Sequence, residues 1–480
     1  MKINHNISAL IANNMLANSE NAVTKSLERL SSGLKINRAS DDAAGLAIST
    51  KMQAQIDGVA QASRNASDGI SIIQTADGAL NEVHSMLQRM GELAVQSAND
   101  TNSNEDRDAI QSEIDSLAQE LDRISTDTEF NKKTLFNGSL NARAYTDNDY
   151  VKMFYFTENV GEGTYGISIL ADATKTKATG GAGSGQSEPV TKEQAGTVSV
   201  NDISFNVEEG DTAAEVYAKF QDACERADIT LSHDGAENFE AYSFSNALIF
   251  EAEEYGSSEQ ISVSAGNEKL AELLGISSLT VEEGKDVEAE FQKQDDGKYV
   301  GYDAPAAMVT KGTRISITDL HGFSMDLETN PNPDNPISGK QDVNIEVKDI
   351  GTLTLQIGAN EGQTMEVRIP NMSSYSLGVD DLNLKGRVGA SKAITKIDEA
   401  IKKVSSVRAS LGAYENRLEH TVANLDLEAE NLTAALSRIM DVDMAEEMTE
   451  YTKNNVLVQA GTSVLAQAND RPQTVLQLLQ

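Results

Sequence analysis

The sequence predicts an α+β protein: a coiled-coil bundle of long helices from both chain ends, with an inserted β-rich domain from the middle of the chain. Six of the seven prolines lie between Pro189 and Pro370, and only Pro472 lies outside that range. No aromatic residue precedes Phe130, whereas aromatic and β-branched residues are frequent in the middle. Long proline-free ends favour helices, and a β-branched, aromatic middle favours strands.

The net charge divides along the same lines. Of the formal charge of −36, residues 141–375 contribute most, with 16 Lys+Arg against 41 Asp+Glu. Residues 1–140 hold 12 basic and 19 acidic residues, and residues 376–480 hold 11 and 15. A chain with this much negative charge repels nucleic acid and anionic membranes. We therefore expect neither as a partner. No apolar run approaches the length needed to span a bilayer.

Apolar residues recur every seven positions near the C-terminal end: Val404, Leu411, Leu418, Leu425 and Leu432. Matching stripes with three- and four-residue spacing near the N-terminal end include Leu80, Leu87 and Leu121. This spacing predicts helices that share a continuous apolar seam. Such a seam is most often the core of a helix bundle, so a monomeric bundle is an alternative to an assembling one.

Polar breaks divide the helical ends into segments. Ser31-Ser32-Gly33 ends the first helix, and Ser40, Asp41 or Asp42 caps the next one. A second polar turn covers residues 99–104, and Phe136-Asn137-Gly138 closes the helical part. The predicted segments are 1–40, 41–140, 141–375, 376–442 and 443–480. Within the third segment, we expect a returning β-hairpin at about 345–375.

The two extremities carry shorter amphipathic stretches, whose apolar positions include Ile3, Ile7, Leu10, Leu27, Met448, Tyr451, Val458 and Leu465. A short helix without a partner is marginal in water. We therefore expect residues 1–35 and 445–480 to be disordered in a free monomer and to fold on association.

Searches for chemical motifs find little. The sequence contains no H-E-x-x-H, no G-x-x-x-x-G-K-[ST] and no G-x-S-x-G. Cys224 is the only cysteine, which excludes a disulfide framework, and its helix-like surroundings indicate a packed thiol. We expect no enzyme activity, no cofactor and no metal. The alternative is a catalytic site that folding assembles from distant histidines, which are His5, His84, His233, His321 and His420.

Long motifs at both ends resemble the terminal regions of bacterial flagellins. They include MKINHNISALIANNMLANSE, DDAAGLAIS, LQRMGELAVQSAND and SRIMDVDMAEEMTEYTKNNVLVQAGTSVLAQAND, and the resemblance covers roughly 1–140 and 376–480. Thr354–Val379 resembles the segment by which flagellins return to their C-terminal helices. Thr197–Cys224 resembles a strand–strand–helix motif found in the inserts of flagellins and hook-associated proteins.

The resemblance implies a subunit that polymerises into the flagellar filament for swimming motility. Segments 1–40 and 443–480 are then filament-core helices, 41–140 and 376–442 are bundle helices, and 141–375 is a variable acidic surface insert. It also implies secretion in an unfolded state through the flagellar export channel, with a chaperone on the C-terminal helices. Filament cap and hook-associated proteins are the implied assembly partners. A hook–filament junction protein of the same family is the alternative.

The resemblance further implies a patch that host Toll-like receptor 5 binds: Gln88, Arg89, Leu93, Ile110 and Glu113. In this interpretation Arg89 makes a charged contact and Leu93 is an apolar anchor. Alternatively, Leu93 belongs to the seam, and Arg89 and Glu113 are ordinary surface charges. Strong activators carry an Arg where this chain has Leu117, so the strength of receptor activation stays open.

Overall fold

The computed structural model describes residues 6–157, 159–183, 189–234, 242–293, 299–302, 306–320, 322–332 and 337–478. The chain divides into two compact units. The terminal unit consists of Met1–Ile70, Leu355–Met365 and Arg417–Gln480. The central unit consists of Ser71–Thr354 and Glu366–Asn416.

Helices occupy both ends of the chain and recur in its middle. Their bounds are α1 Ile7–Ser32, α2 Ala43–Ser97, α3 Asn104–Asp127, α4 Ala213–Arg226, α5 Glu268–Leu273, α6 Ser374–Leu377, α7 Arg387–Met440 and α8 Met444–Leu478. Among the described residues, no helix is long and apolar enough to cross a membrane.

Local capping explains where the N-terminal helices begin and end. Gly33 terminates α1 with φ 74°, a left-handed conformation that suits glycine. Asp42 accepts the backbone N–H groups of Ala44 and Gly45 at the start of α2. At the start of α3, Ser103 and Asp106 form a reciprocal capping box. The predicted breaks before α2 and α3 are therefore confirmed. The prediction that Phe136-Asn137-Gly138 closes the helical part is wrong, because α3 ends at Asp127 and is followed by β1.

The strands lie almost entirely between the helical ends. Their bounds are β1 Glu129–Phe130, β2 Lys133–Thr134, β3 Arg143–Thr146, β4 Val151–Phe156, β5 Gly163–Ala171, β6 Lys175–Thr179, β7 Gly196–Val200, β8 Ile203–Val207, β9 Ile229–His233, β10 Leu248–Tyr255, β11 Val263–Ala265, β12 Thr280–Glu282, β13 Glu288–Phe291, β14 Ala307–Lys311, β15 Arg314–Thr318, β16 Ser324–Thr329, β17 Ser338–Lys348, β18 Leu353–Gln356 and β19 Thr364–Val367. Paired β18 and β19 lie in the predicted returning segment.

Two separate apolar cores occupy the predicted insert. We call residues 142–173 with 287–347 the first lobe; its sheets have the strand orders β13-β5-β17-β3 and β14-β15-β16-β4. We call residues 175–283 the nested lobe, because its chain leaves the first lobe after β5 and returns before β13. Alternating side chains such as Ile167 and Ile169 on β5 are fully buried in the first core.

The nested lobe combines two sheets, β12-β6-β10-β9 and β11-β7-β8, with α4 and α5. Helix α4 starts with a capping box between Thr212 and Glu215 and buries Phe220 and Cys224 on one face. Strands β7 and β8 followed by α4 match the strand–strand–helix motif predicted at Thr197–Cys224. The α+β fold class is confirmed.

Candidate self-assembly surface

Helices α1 and α8 lie antiparallel to each other. At one end, the Asn6 side chain donates to the Ala468 carbonyl oxygen at 2.9 Å. At the other end, Val442 N–H donates to Gly33 O at 3.0 Å, and Lys35 N–H donates to Met440 O at 2.6 Å. The expectation that the extremities lack an intramolecular partner is therefore wrong, because each helix has the other.

Few side chains are fully buried in the contact between these helices. The most buried residues on α1 are Ala12 and Ser26, and Ala468 is buried on α8. Gly461 faces Leu16, since a Cβ built on Gly461 would lie 3.4 Å from Leu16 Cδ1. Small residues allow a close approach of the helices but bury little apolar area, so the contact is thin.

One ion pair crosses this contact near the end of α1 and the start of α8. Arg29 Nη1 lies 3.4 Å from Glu447 Oε2, and Glu447 is only 8% exposed. A carboxylate so buried requires a charged partner. Arg29 therefore helps to set the register of α1 against α8.

The opposite faces of the two helices leave large apolar side chains in solvent, with exposed fractions between 48% and 66%: Ile7, Leu10, Ile11, Met15, Leu27, Met444, Met448, Val456, Leu457 and Val464. A patch of this kind marks an interaction surface. Met448, Val456 and Leu457 also line an open groove on α8. We call these ten residues the outer face of the α1–α8 pair.

The predicted filament-core residues divide into three groups. Ile7, Leu10, Leu27 and Met448 belong to the outer face. Three others are half-buried on α8: Tyr451, Val458 and Leu465. Ile3 lies outside the described residues. The prediction omitted Met15, although its four-residue spacing from Ile11 places it on the same helix face.

The seam residues lie inside both units. Within the terminal unit, Leu418 and Leu425 are buried and Leu432 is half-buried, and Leu425 packs with Val59 and Ala62 of α2. Within the central unit, five seam residues have no exposed surface: Leu80, Leu87, Leu121, Val404 and Leu411. Each of these residues is placed for helix packing, as its spacing predicts.

A second group of predicted site residues lies on α2 and α3. Arg89 makes ion pairs with Glu113 at 2.8 Å and with Glu92 at 3.2 Å, and these carboxylates raise its pKa. The exposed Gln88 side chain lies 3.1 Å from His84 Nε2. This polar surface can offer charge and hydrogen bonds to a partner, once the Arg89–Glu113 pair opens.

The two apolar members of the predicted receptor patch are not at the surface. Leu93 is 2% exposed and Ile110 is 6% exposed. The apolar-anchor interpretation of Leu93 is corrected: its side chain faces the helix packing, which favours the seam alternative. Neighbouring Val95, which the prediction omitted, is 60% exposed.

The described part of the chain holds no group of three or more His, Cys, Asp or Glu side chains that could bind a metal. Cys224 is 1% exposed, and burial raises the pKa of its thiol to about 12, so the reactive thiolate is suppressed. Its packing in α4 is that of a small apolar side chain.

Comparison with known families gives matches at both ends of the chain. A family described as the bacterial flagellin N-terminal helical region matches residues 3–141, and one described as the C-terminal helical region matches residues 394–479. These ranges contain the outer face and the seam residues.

Full-length relatives are also similar. The chain is 38% identical to a flagellin from Clostridium tyrobutyricum, with 98% of this chain and 100% of the relative covered. It is 34% identical to a flagellin from Bacillus subtilis (strain 168), with both chains fully covered. A crystal structure of flagellar hook-associated protein 3 from Legionella pneumophila covers 81% of this chain and 98% of its own, at 14% identity. The TM-score between the two structures is 0.30.

Proposed function

The chain belongs to the bacterial flagellin family and is a structural subunit of the flagellar filament, not an enzyme, and we propose that it polymerises through the outer face of the α1–α8 pair. In this proposal, segments 1–40 and 443–480 form the filament core. Segments 41–140 and 376–442 form the bundle beside it, and 141–375 is the acidic insert on the filament surface.

The observation that carries the proposal is the placement of apolar residues on α1 and α8. The outer face exposes large side chains while the small ones face the partner helix. Burial of each Leu, Ile or Met side chain contributes about 1.5–3 kcal/mol, so covering several of them stabilises a polymer strongly. A filament needs a contact between different patches that does not close into a ring. Two outer-face helices of unlike sequence suit such a contact.

Electron microscopy of the purified full chain after salt-induced polymerisation tests this function. We expect long helical filaments carrying a lobe on their outside, since added salt screens the acidic inserts. A chain that stays monomeric, or that forms only closed rings, contradicts the proposal.

We also propose that the subunit is secreted unfolded through the flagellar export channel to an extracellular filament, with a chaperone on its C-terminal helices. The α8 groove lined by Met448, Val456 and Leu457 supports chaperone binding, because it is apolar and open. Loss of the export apparatus should then keep the chain inside the cell. Met448→Lys should weaken chaperone capture of the full chain, whereas Lys453→Ala, in the same groove, should not.

A subunit that is added at the tip of the growing filament lies next to the filament cap. Subunits at the base of the filament lie next to hook-associated proteins. Family membership supports these partners. The alternative function, a hook–filament junction protein, has less support because the full-length curated relatives are named flagellins. Filaments of unlimited length in the microscopy experiment favour the filament subunit over the junction protein.

We propose in addition that the Gln88–Arg89–Glu113 surface is a ligand for host Toll-like receptor 5, with Arg89 as its centre. The support is the resemblance together with the exposure of these polar groups on adjoining helices. Leu93 and Ile110 act here as packing residues that hold the two helices in place.

A receptor reporter assay in cells tests this role. Arg89→Ala should weaken signalling without changing the melting temperature, because the Arg89–Glu113 pair is exposed and screened by solvent. Leu93→Ala should weaken signalling only together with a lower melting temperature, because it leaves a cavity. Lys132→Ala, at an exposed position beyond α3, is the control. Unchanged signalling by Arg89→Ala and Leu93→Ala contradicts the receptor proposal.

A further inference from the structure

The nested lobe contacts the helices of the central unit through charged groups. Arg226, at the end of α4, forms two bonds of 2.9 Å with the carboxylate of Asp108 on α3. Glu225 accepts a bond from Lys385 Nζ at 2.7 Å. Asn383 donates to the Glu225 carbonyl oxygen at 3.1 Å. These contacts join the lobe both to α3 and to the segment that precedes α7.

A second set of ion pairs joins the lobe to α7 itself. Lys392 Nζ lies 2.6 Å from Glu259, and Lys396 Nζ lies 2.7 Å from Glu254 on β10. The lysines are partly exposed, with 31% and 30% of their side-chain surface in solvent. The lobe thus offers mainly carboxylates to a basic strip of α7. Because the Glu254 side chain is 38% exposed and that of Glu259 only 9%, salt screens the Lys396–Glu254 pair more than the Lys392–Glu259 pair.

The core of the nested lobe meets this contact only at its edge. All the buried members of its apolar cluster lie between Ala178 and Ile276, and they include Phe220 and Phe250 with no exposed surface. One core member, Ile203, also reaches the contact, since its Cδ1 lies 3.5 Å from a Cβ built on Gly386. Most of the core therefore lies within the lobe itself.

From these contacts we propose that the nested lobe is a reversibly docked module, latched to α3 and α7 by ion pairs and released by high ionic strength or by a rise in pH from mildly acidic to neutral. Screening weakens partly exposed ion pairs and leaves apolar cores intact, so salt opens the contact before it unfolds the lobe. Release exposes the Asp108 side of α3 and the Lys392–Lys396 strip of α7. The proposal does not depend on polymerisation.

The pH sensitivity comes from Asp228, which lies in the contact after α4 with φ 57°. Its carboxylate accepts a hydrogen bond from Asn383. The charged groups around it come from β10, from the segment before α7 and from α7: Glu253, Glu254, Asp381, Lys392 and Lys396. Burial, aided by Glu254 and Glu253, raises the pKa of Asp228 to about 6, although Asn383 and Lys392 act to lower it.

The sign of this effect favours docking in mild acid. A folded-state pKa of about 6, against an ordinary 3.8, means that the docked state binds the proton more tightly. Docking therefore weakens as the pH rises through about 6. Glu254 behaves oppositely: burial opposes its charge, but Lys396 and Lys392 lower its pKa, so it stays charged in the same pH range.

Hydrogen exchange of the full chain, followed by mass spectrometry, tests the latch. The Arg387 N–H donates to the Asp202 carboxylate of the lobe at 3.0 Å, so segment 383–390 reports docking. Between about 0.1 and 1 M NaCl the screening length falls from about 10 to about 3 Å. We expect segment 383–390 to exchange at least about tenfold faster at the higher salt, with β10 unchanged.

Matched variants separate release from unfolding. Gly386→Ala should release the lobe even at low salt, because its Cβ would lie 2.7 Å from the Arg226 carbonyl oxygen. Gly412→Ala is the control, since a Cβ there meets nothing within 4 Å. Asp228→Asn should hold the lobe docked at pH 8. Salt-independent exchange of segment 383–390 overturns the proposal, as does loss of β10 protection together with it.

Discussion

The α1–α8 pair and the nested lobe distribute their apolar residues in opposite ways. The lobe places its largest apolar side chains inside, where Phe220, Phe244 and Phe250 are at most 1% exposed. The helix pair buries Ala12 and Ala468 and leaves its largest apolar side chains in solvent. By this measure the lobe is a complete domain, whereas the helix pair exposes apolar surface that, in the proposed filament, another subunit covers.

This difference separates stability from assembly. In the lobe, an apolar residue stabilises the fold of its own chain, so its loss should change the free energy of unfolding. In the proposed filament, an apolar residue of the outer face contributes only when another subunit covers it. Substitutions in the two regions should therefore affect different measurements.

The largest effect is expected from Phe220→Ala in the lobe. Phe220 is fully buried, with ring centroids of Phe205 at 4.9 Å and Phe250 at 5.9 Å. The cavity should lower the free energy of unfolding of the lobe by about 3–5 kcal/mol. Urea denaturation monitored by circular dichroism measures this loss. Filaments should still form, and loss of polymerisation would break the comparison.

The outer face should show the reverse behaviour. Leu10→Ala combined with Met15→Ala should raise the monomer concentration needed for polymerisation about tenfold or more, since each tenfold corresponds to about 1.4 kcal/mol. The monomer's unfolding free energy should change by no more than about 0.5 kcal/mol, because both side chains are exposed. Sedimentation of the polymer measures the monomer concentration that polymerisation needs. Asn14→Ala, on the same helix, should leave polymerisation unchanged.

A smaller effect is expected within the helix pair itself. Arg29→Ala leaves the carboxylate of Glu447 buried without its charged partner and should destabilise the pair by about 1–2 kcal/mol. Hydrogen exchange along α8 of the monomer measures this change. Lys453→Ala removes an exposed ion pair with Glu450 and serves as the control. Equal protection in both variants would show that Arg29 does not align the helices.

The smallest effects are expected from two aspartates with opposite pKa shifts. The Lys25 side chain and the backbone N–H groups of Arg38 and Asn37 lower the pKa of Asp41 to about 2, while that of Asp228 is raised to about 6. The stability that Asp41 contributes is present above about pH 3.8 and is lost toward pH 2. The stability that Asp228 contributes is present below about pH 3.8 and is lost as the pH rises through about 6.

Melting temperature as a function of pH distinguishes these two groups. Asp41→Asn should flatten the loss of stability in acid, and Asp228→Asn should flatten the change between about pH 4 and 6. Identical pH profiles for both variants would mean that the environments of Asp41 and Asp228 do not shift their pKa values in opposite directions.

Much of the fold was predictable because its signals are local. The capping residues Asp42 and Ser103 lie next to the helices that they start. The seven-residue spacing from Val404 to Leu432 can be recognised within a single helix, without knowing which helix packs against it. The strand–strand–helix motif before Cys224 lies within one short stretch of chain. In each case neighbours in sequence determine the structure.

Less of the candidate site was predictable. Helical spacing places Ile7, Leu10 and Ile11 on an apolar helix face, but it does not say whether that face meets α8 or solvent. The same spacing left Leu93 open to two interpretations, and its 2% exposure decides for packing. The division of the insert into two cores also had no signal in the composition, because both lobes are acidic and β-rich.

By itself, the sequence determined the fold class, the breaks before α2 and α3, the family and the separation of an acidic insert from weakly charged ends. Only the tertiary structure decided that α1 and α8 pair with each other, that ten large apolar side chains of this pair stay exposed, and that Asp228 enters a charged contact with α7. The physical reason is that exposure and electrostatic environment depend on residues far apart in the chain. Asn6 meets Ala468, and Asp228 meets Lys392, only after the chain has folded.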